Sequence, residues 1–591
     1  MIEALIQIDH GRKWLHLREP VRVIEVWRPD EVDEALREVE RLTRDRGYHA
    51  AGFLTYEAGA AFGLSVSAPD GTLPPAWFAL FDRAQVTEVD GPAASGSYDI
   101  GPLTPAVDLP AFERAFTTIR HHISSGNTYQ VNYTFELTGR FSGEARDLFA
   151  DLVATQRGRY SNFVQMGTHS ICCASPELFF ARHGAEITTR PMKGTARRGR
   201  TTVEDDACAR ELRASAKERA ENVMIVDMMR NDLGRIAATG SVAVPELFAV
   251  ERYPTIWQMT STVTARSEAA LPEIFAALHP SASVTGAPKI RTMEIIADLE
   301  RRPRGIYTGS IGYVAPDGTA QFSVAIRTAV IDHASATVRF GVGSGIVWDS
   351  SAASEYQECL LKAAILGRRP QTFDLLETMK WTPDGGFFLL DRHLHRLERS
   401  ARYFDYPCST PDTRRALDRA VATSASPLRV RVLLARDGTV RIECAPLEPT
   451  TAPARLGIAP APIDPTDVFL FHKTTNRTQY DQAKRASTGV DDVILWNPDG
   501  QVTESTLGNV VAEIGRRKVT PPVACGLLAG TFREQLLEEG VIEEGSITID
   551  ELRAASRVWL VNSVREWWPA VLVEDYADRS AGLQPRRVWQ A

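Results

Sequence analysis

The run Gly367-Arg368-Arg369-Pro370 constrains this chain more than any other feature. A helical stretch, Ser354–Leu366, stops there, because glycine caps a helix end and proline cannot continue it. Beyond it a pattern of strand, turn and helix starts afresh: Thr372–Trp381, then Pro383-Asp384-Gly385-Gly386, then His393–Tyr403. With 591 residues, the chain reads as two modules with separate cores, 1–368 and 372–591.

A hydrophobic content of 44% beside 24% charged residues is that of an ordinary globular protein. The net charge of −8 argues against nucleic acid as a main partner, and no basic run suits an anionic membrane. The seven cysteines include no C-x-x-C pair and are odd in number, which points to reduced thiols in a cytosol. Met1-Ile2-Glu3-Ala4-Leu5 lacks the basic start of a signal peptide, and no apolar run is long enough to span a bilayer. A cytoplasmic protein is expected.

Short apolar runs at Val21–Val26, Phe53–Tyr56 and Trp77–Phe81 predict a mixed α/β start. Val32, Leu36, Val39 and Leu42 predict a helix over Asp30–Asp45. Further helices are expected from about Pro110 to Ser124 and over Glu211–Met229. In the second module a strand pair is expected at Leu428–Leu434 and Thr439–Ala445. Thr451–Pro465, rich in Ala and Pro, reads as a linker.

Two lysines stand out. Lys193 lies between Pro191 and Gly194, after the strand-like run Leu178-Phe179-Phe180. On its own the segment fits a turn lysine in a hairpin. A lysine is nucleophilic only as the free amine, so chemistry there requires burial or nearby cations. Lys473 follows the apolar run Val468–Phe471, and on its own it too reads as structural.

Glu218 and Glu221 share one helix face, as do Glu355, Glu358 and Lys362. Such stripes are usually solvated. The apolar stretches Val223–Met229 and Leu360–Leu366 predict instead that both helices are buried, and buried carboxylates call for a cation. Four carboxylates suit Mg²⁺, which prefers oxygen ligands.

The ordered motifs Gly126–Asn132, Ser175-Pro176-Glu177, Pro191–Thr195, Glu218–Asp232, Ser283–Lys289, Arg304–Gly309 and Glu355–Lys362 resemble the chorismate-utilising enzymes. The likeness is dense from about Asp108 to Leu366. It implies that Glu221 and Glu358, with Glu218 and Glu355 beside them, hold a Mg²⁺ ion on the substrate's ring carboxylate. It implies that Arg327 binds the enolpyruvyl carboxylate and that Ser283, Tyr307, Lys362 and the backbone of Gly343 and Gly345 contact substrate. Lys193 stands where the family's aminodeoxychorismate synthases have lysine and its anthranilate synthases alanine. The resemblance makes it the nucleophile at ring C2 and Glu177 the general acid at the C4 hydroxyl. Gln130 stands where isochorismate and salicylate synthases use a lysine base, which disfavours that branch. Gln258 replaces a histidine found in many members. No G-x-C-x-G elbow supplies a glutaminase, so a separate glutamine amidotransferase subunit, or free ammonia, is implied.

His472-Lys473-Thr474-Thr475, Thr503–Asn509, Gly526–Arg533, Glu377-Thr378 and His393-x-x-Arg396-Leu397 together resemble the fold-type IV pyridoxal phosphate enzymes, over about Thr372 to Pro569. The implied roles are Lys473 for the covalent link to pyridoxal 5′-phosphate and for proton transfer, and Glu504 for the pyridine nitrogen. Arg396 and the amides near Leu528 and Thr531 are implied as phosphate ligands, at a helix start expected near Thr531. Asn562-Ser563-Val564-Arg565 resembles a substrate-contacting segment of the lyases, but Glu566 stands where glycine is expected. A homodimer through this module is implied, since such enzymes are commonly dimers. The fold expected is therefore a chorismate-utilising α+β module with large sheets and flanking helices, followed by a two-subdomain fold-type IV module. Joined, the two imply conversion of chorismate to aminodeoxychorismate and then, with loss of pyruvate, to p-aminobenzoate for folate synthesis. Anthranilate or isochorismate synthesis, and a transaminase or a silent docking module, are the alternatives.

Overall fold

A computed structural model describes residues 2–573 apart from Arg12, Ser95, Thr450 and Thr451. It divides into two units, one of Met1–Arg198 with Cys208–Pro370, the other of Gly199–Ala207 with the chain from Gln371 onward.

The first unit is built on two large antiparallel sheets. One runs in the order Gly286–Ala287, Gln130–Gly143, Thr337–Ile346, Thr328–Asp332, His169–Cys173, Asn162–Met166, Ile2–Ile8, Lys13–Arg18, Val86–Val89. The other runs Met192–Arg197, Ile256–Arg266, Glu186–Arg190, Leu178–His183, Ala320–Val324, Ser310–Val314, His49–Leu54, Ala76–Phe81, Arg22–Val26. Strand alternation explains the layering. Ala4 and Ile6 point into a core shared with Phe53, Trp77 and Ile311 of the second sheet. Leu5, between them, points to the opposite face, toward Phe112 and Tyr356 on helices. The second sheet covers its outer face with the helices Val32–Arg46, Ala216–Gly234 and Leu271–Leu278. The result is four layers: helix, sheet, sheet, helix.

The expected helix at Asp30–Asp45 is Val32–Arg46, and Val32, Leu36, Val39 and Leu42 are its buried face. The one expected at Pro110–Ser124 is Leu109–Ser124, capped by Asp108. The single helix expected at Glu211–Met229 is two, Thr202–Ala214 and Ala216–Gly234. The break is local chemistry: Ser215 turns extended, and its hydroxyl accepts from the Glu218 amide to cap the second helix.

The second unit holds a four-stranded antiparallel sheet, in which Leu375–Thr382 and Leu428–Leu434 are central, packed on the helices Leu390–Phe404 and Thr410–Val421. Its larger sheet of eight strands closes on itself where Glu504 pairs with Asn509. The Thr451–Pro465 linker is not a linker among the described residues. Ala454–Ile458 is an interior strand, parallel to both Asp492–Trp496 and Glu566–Leu572, with Ala454 and Leu456 fully buried. Its one alanine, Ala454, is packed in the core. Lys473 follows a short 3-10 turn, Val468–Leu470, rather than a strand. Among the described residues, no helix is long and apolar enough to cross a membrane.

Candidate active sites

Lys193 is not a turn residue. It lies on the strand Met192–Arg197, whose pairing with Ile256–Arg266 is irregular between Met192 and Thr195. Two side chains grip the irregular stretch. Gln258 accepts from the Thr195 hydroxyl at 3.0 Å and donates to the Gly194 carbonyl at 2.8 Å. Asn222 donates to the Lys193 carbonyl at 3.1 Å and accepts from Ser261 at 2.5 Å. Gln258, the departure from histidine, thus fixes the backbone that carries Lys193. Gly194 takes φ 100°, a conformation that disfavours any side chain, and a Cβ there would meet Glu218 at 3.1 Å.

The Lys193 ammonium pairs with Glu221 Oε2 at 3.3 Å. Facing it is Gly345, where a Cβ would lie 2.9 Å from Lys193 Nζ and 3.1 Å from Gln130 Nε2. Gln130 is fully buried, and neither end of its amide has a hydrogen-bond partner among the described residues. We expect Gly345→Ala to cut turnover in this unit by roughly tenfold or more without lowering its melting temperature, since the added methyl obstructs the site and not the core.

Glu177 completes the group. It is buried, and burial pushes its carboxyl up to about 7, against a hydrogen bond from Ser283 Oγ at 2.5 Å, the Met192 amide and the charge of Lys193. The sign is that of a raised acid: protonated below about 7 and lost as pH rises through it. An acid role for Glu177 therefore gives an alkaline limb near neutrality. In Ser283→Ala the anion loses a donor, so the limb should move upward by roughly half to one pH unit, the equivalent of a hydrogen bond worth about 1 kcal/mol. A pH profile of kcat/KM checks this.

Arg327 takes a left-handed φ of 53°, and burial lowers its affinity for its proton, with Tyr307 and Glu358 opposing. Its Nη1 donates to the Lys362 carbonyl at 3.1 Å, and no carboxylate pairs with it among the described residues. Lys362 donates to the Gly343 carbonyl at 2.8 Å and pairs with Glu358 at 2.6 Å. Tyr307 is close enough to Arg327 for the two to interact, and burial raises its phenol. Ser344 is buried beside Cys359, whose thiol burial raises against a hydrogen bond with Ser344. Arg327, Tyr307, Lys362 and Gly343 thus adjoin one another.

The four glutamates expected to hold Mg²⁺ are not a cluster. Among the described residues, no three Asp, Glu, His or Cys side chains converge on a cation-sized site. Glu218 and Glu221 interact, and burial followed by that repulsion raises the Glu218 carboxyl, but Lys193 already neutralises Glu221. Glu358 is 55% exposed and neutralised by Lys362, and Glu355 is only partly buried. The two helices differ: Glu218 and Glu221 lie on the stripe that carries Asn222, Ile225 and Met229 and are part-buried, whereas Glu358 is exposed, so the two pairs do not form one buried set. As arranged, the carboxylates do not fit the ion.

In the second unit, burial and the charge of Arg396 lower Lys473 to about 8, and no hydrogen bond or ion pair engages its Nζ among the described residues. Glu504 feels its charge. Burial raises Glu504 to about 7, against the Leu528 amide at 2.9 Å and the Tyr480 hydroxyl at 2.7 Å, both donating to Oε1. Asn509 donates to its other oxygen at 3.2 Å. The Leu528 amide is therefore spent on Glu504 and is not a phosphate ligand. The position lies three residues ahead of the helix Thr531–Glu538, too early to share its free first-turn amides. Thr531 begins that helix, and its hydroxyl meets Ser563 Oγ at 2.6 Å and His393 Nε2 at 3.2 Å.

Glu377 is buried, which works against its charge, yet Arg396 and His393 hold it at about 2. Arg396 donates Nε and Nη2 to its two oxygens at 2.8 and 2.7 Å, and Nη1 to the Ala529 carbonyl at 2.9 Å. Three of its five N–H groups are used, which leaves two for a ligand. An uncommitted amine, a carboxylate held by donors, spare guanidinium N–H groups and a helix start fit pyridoxal phosphate in kind. Sequence reasoning missed Asn222, Tyr480 and Asn509. Their partners are set by tertiary folding, and no spacing announces them.

A model of the chorismate binding enzyme family matches residues 5–368. The chain belongs to that family. A class IV amino-transferase model matches residues 374–573 of the chain. It is 42% identical over 245 residues to aminodeoxychorismate synthase component 1 of Escherichia coli (strain K12), covering 41% of this chain and 54% of the relative. The component 1 of Bacillus subtilis (strain 168) is 38% identical over 259 residues, covering 44% of this chain and 55% of the relative. The chain thus spans about half the length of these curated relatives. Anthranilate synthase component I from Streptococcus pneumoniae TIGR4 superposes with a TM-score of 0.53 at 25% identity, over 61% of this chain and 93% of that one.

Proposed function

We propose that this chain makes p-aminobenzoate in two steps, 1–368 converting chorismate and ammonia to 4-amino-4-deoxychorismate and 372–591 releasing pyruvate from it. The observation that carries the reading is Lys193, 3.3 Å from Glu221 and within reach of an acid, Glu177, that holds its proton to about 7. The naming of the relatives supports the same substrate.

In the first step only the free amine of Lys193 attacks, so its pair with Glu221 opens first. A bond forms from Nζ to ring C2 as the C4 hydroxyl departs, and Glu177 protonates it to water. Ammonia then bonds to C4, Lys193 is expelled as the free amine, and the proton that the new C4 ammonium loses returns to Glu177, which restores the enzyme. Arg327, which pairs with no carboxylate among the described residues, receives the enolpyruvyl carboxylate. The relatives are called component 1, which supports a separate subunit as the source of ammonia.

In the second step pyridoxal phosphate, held by Lys473, Glu504, Arg396 and the Thr531 amide, would supply an electron sink joined to the substrate's amino carbon. Lys473, the one amine beside it with a pKa near 8, takes the ring proton and returns one as pyruvate leaves. The class IV amino-transferase match supports a transaminase as a second reading, which exchange between added amino and keto acids would reveal.

The first step is tested by stripping the chain of pyridoxal phosphate and supplying chorismate and ammonium. Accumulation of 4-amino-4-deoxychorismate supports the reading, and isochorismate formed without ammonium sinks it.

A further inference from the structure

We infer that Lys380 receives a substrate carboxylate in the second unit and that Glu566 is a built-in counter-ion holding that place until the substrate arrives. The inference rests on the lyase reading above, because 4-amino-4-deoxychorismate carries two carboxylates.

Asn562 pairs with Glu566 to close a hairpin over Ser563, Val564 and Arg565. The Asn562 side chain accepts from the amides of Val564 and Arg565 at 2.9 and 2.8 Å, so the loop is tightly specified. A three-residue hairpin loop of this kind ends in a left-handed residue that glycine takes freely. Here the position is Glu566, at φ 56°. A side chain kept in that conformation is strained, and strain of this sort persists where the surroundings hold it for a purpose. What holds it is Lys380: the carboxylate of Glu566 is ion-paired with the Lys380 ammonium.

The pair stands at the rim of the candidate site. The Lys380 amide donates to the Ser563 carbonyl at 3.0 Å, and Ser563 Oγ meets Thr531, which opens the helix assigned to phosphate. On their strand, Glu377 and Met379 face the helix Leu390–Phe404, so Lys380 is on the other face. Lys380 is 24% exposed and Glu566 42%, open enough for exchange with a ligand. The other cations have other tasks: Lys473 and the spare N–H groups of Arg396 are assigned to the cofactor, and Arg477 donates to the Thr506 carbonyl at 2.5 Å. For a carboxylate of a dianionic substrate, Lys380 is thus an exchangeable ammonium, already bearing a carboxylate of the chain.

The test uses the full chain loaded with pyridoxal phosphate and fed 4-amino-4-deoxychorismate. Glu566→Gln should lower KM for pyruvate release about fivefold, the scale of one part-exposed ion pair, with the effect on KM rather than kcat. Lys380→Gln should raise KM about tenfold, and in the double variant Glu566→Gln should no longer lower it. Glu566→Gly, free of strain, serves if the glutamine variant folds poorly. As a second readout, calorimetry on the cofactor-free chain should show isophthalate binding that strengthens in Glu566→Gln and weakens in Lys380→Gln, with benzoate less affected. If pyruvate is released and neither substitution moves KM or isophthalate binding, the carboxylate site is overturned and the lyase reading stands. If no pyruvate is released yet isophthalate follows both residues as stated, the site stands and the lyase reading falls.

Discussion

Lys193→Ala should reduce 4-amino-4-deoxychorismate formation by about a thousandfold or more, because it removes the atom that bonds to the substrate rather than a group that assists. The fold should survive. Lys193 is part-exposed on an irregular strand whose backbone is held by Gln258 and Asn222, and neither contact uses its side chain. Removing the ammonium also leaves Glu221 near Glu218 without its neutralising partner, which adds to the rise of the Glu218 carboxyl and does not open the core. The measurement is single-turnover formation of the product with saturating ammonium. A rate within tenfold of the unsubstituted chain would remove Lys193 from covalent chemistry and leave it a charge beside Glu221.

Lys473→Ala should stop the second step while sparing the first, lowering pyruvate release by about a thousandfold or more and causing 4-amino-4-deoxychorismate to accumulate. The two halves have separate cores, so the loss should not spread to chorismate consumption. Loading with pyridoxal phosphate should give the unsubstituted chain the visible absorbance of a cofactor bound to lysine, and the variant should lack it. Unchanged pyruvate release in the variant would make the second unit a silent or docking module.

The sequence was most legible where periodicity and caps agree. The helix Val32–Arg46 and the strand Leu428–Leu434 follow directly from their side chains. The stretch around Ala454–Ile458 misled because the alanines and prolines on either side mark linkers by composition, while the alternation within it, Ala454 and Leu456 buried and Arg455 exposed, is too short to stand out as a strand. The acidic helices misled for another reason. The Lys362–Glu358 pair was already set by its i, i+4 spacing, but nothing local showed that Lys193, on a distant strand, neutralises Glu221 or that Glu358 stays exposed. Lys193, Glu177 and Ser283, widely separated in the chain, were nominated by motif, but Gln258 acquired a role only when its amide was seen to bridge Thr195 and Gly194.

The most direct measurement of the central claim supplies the whole chain with chorismate, ¹⁵N-ammonium and pyridoxal phosphate, and identifies every product by mass. The account predicts ¹⁵N-labelled p-aminobenzoate and pyruvate in equal amounts. Labelled anthranilate, or unlabelled isochorismate, would contradict it.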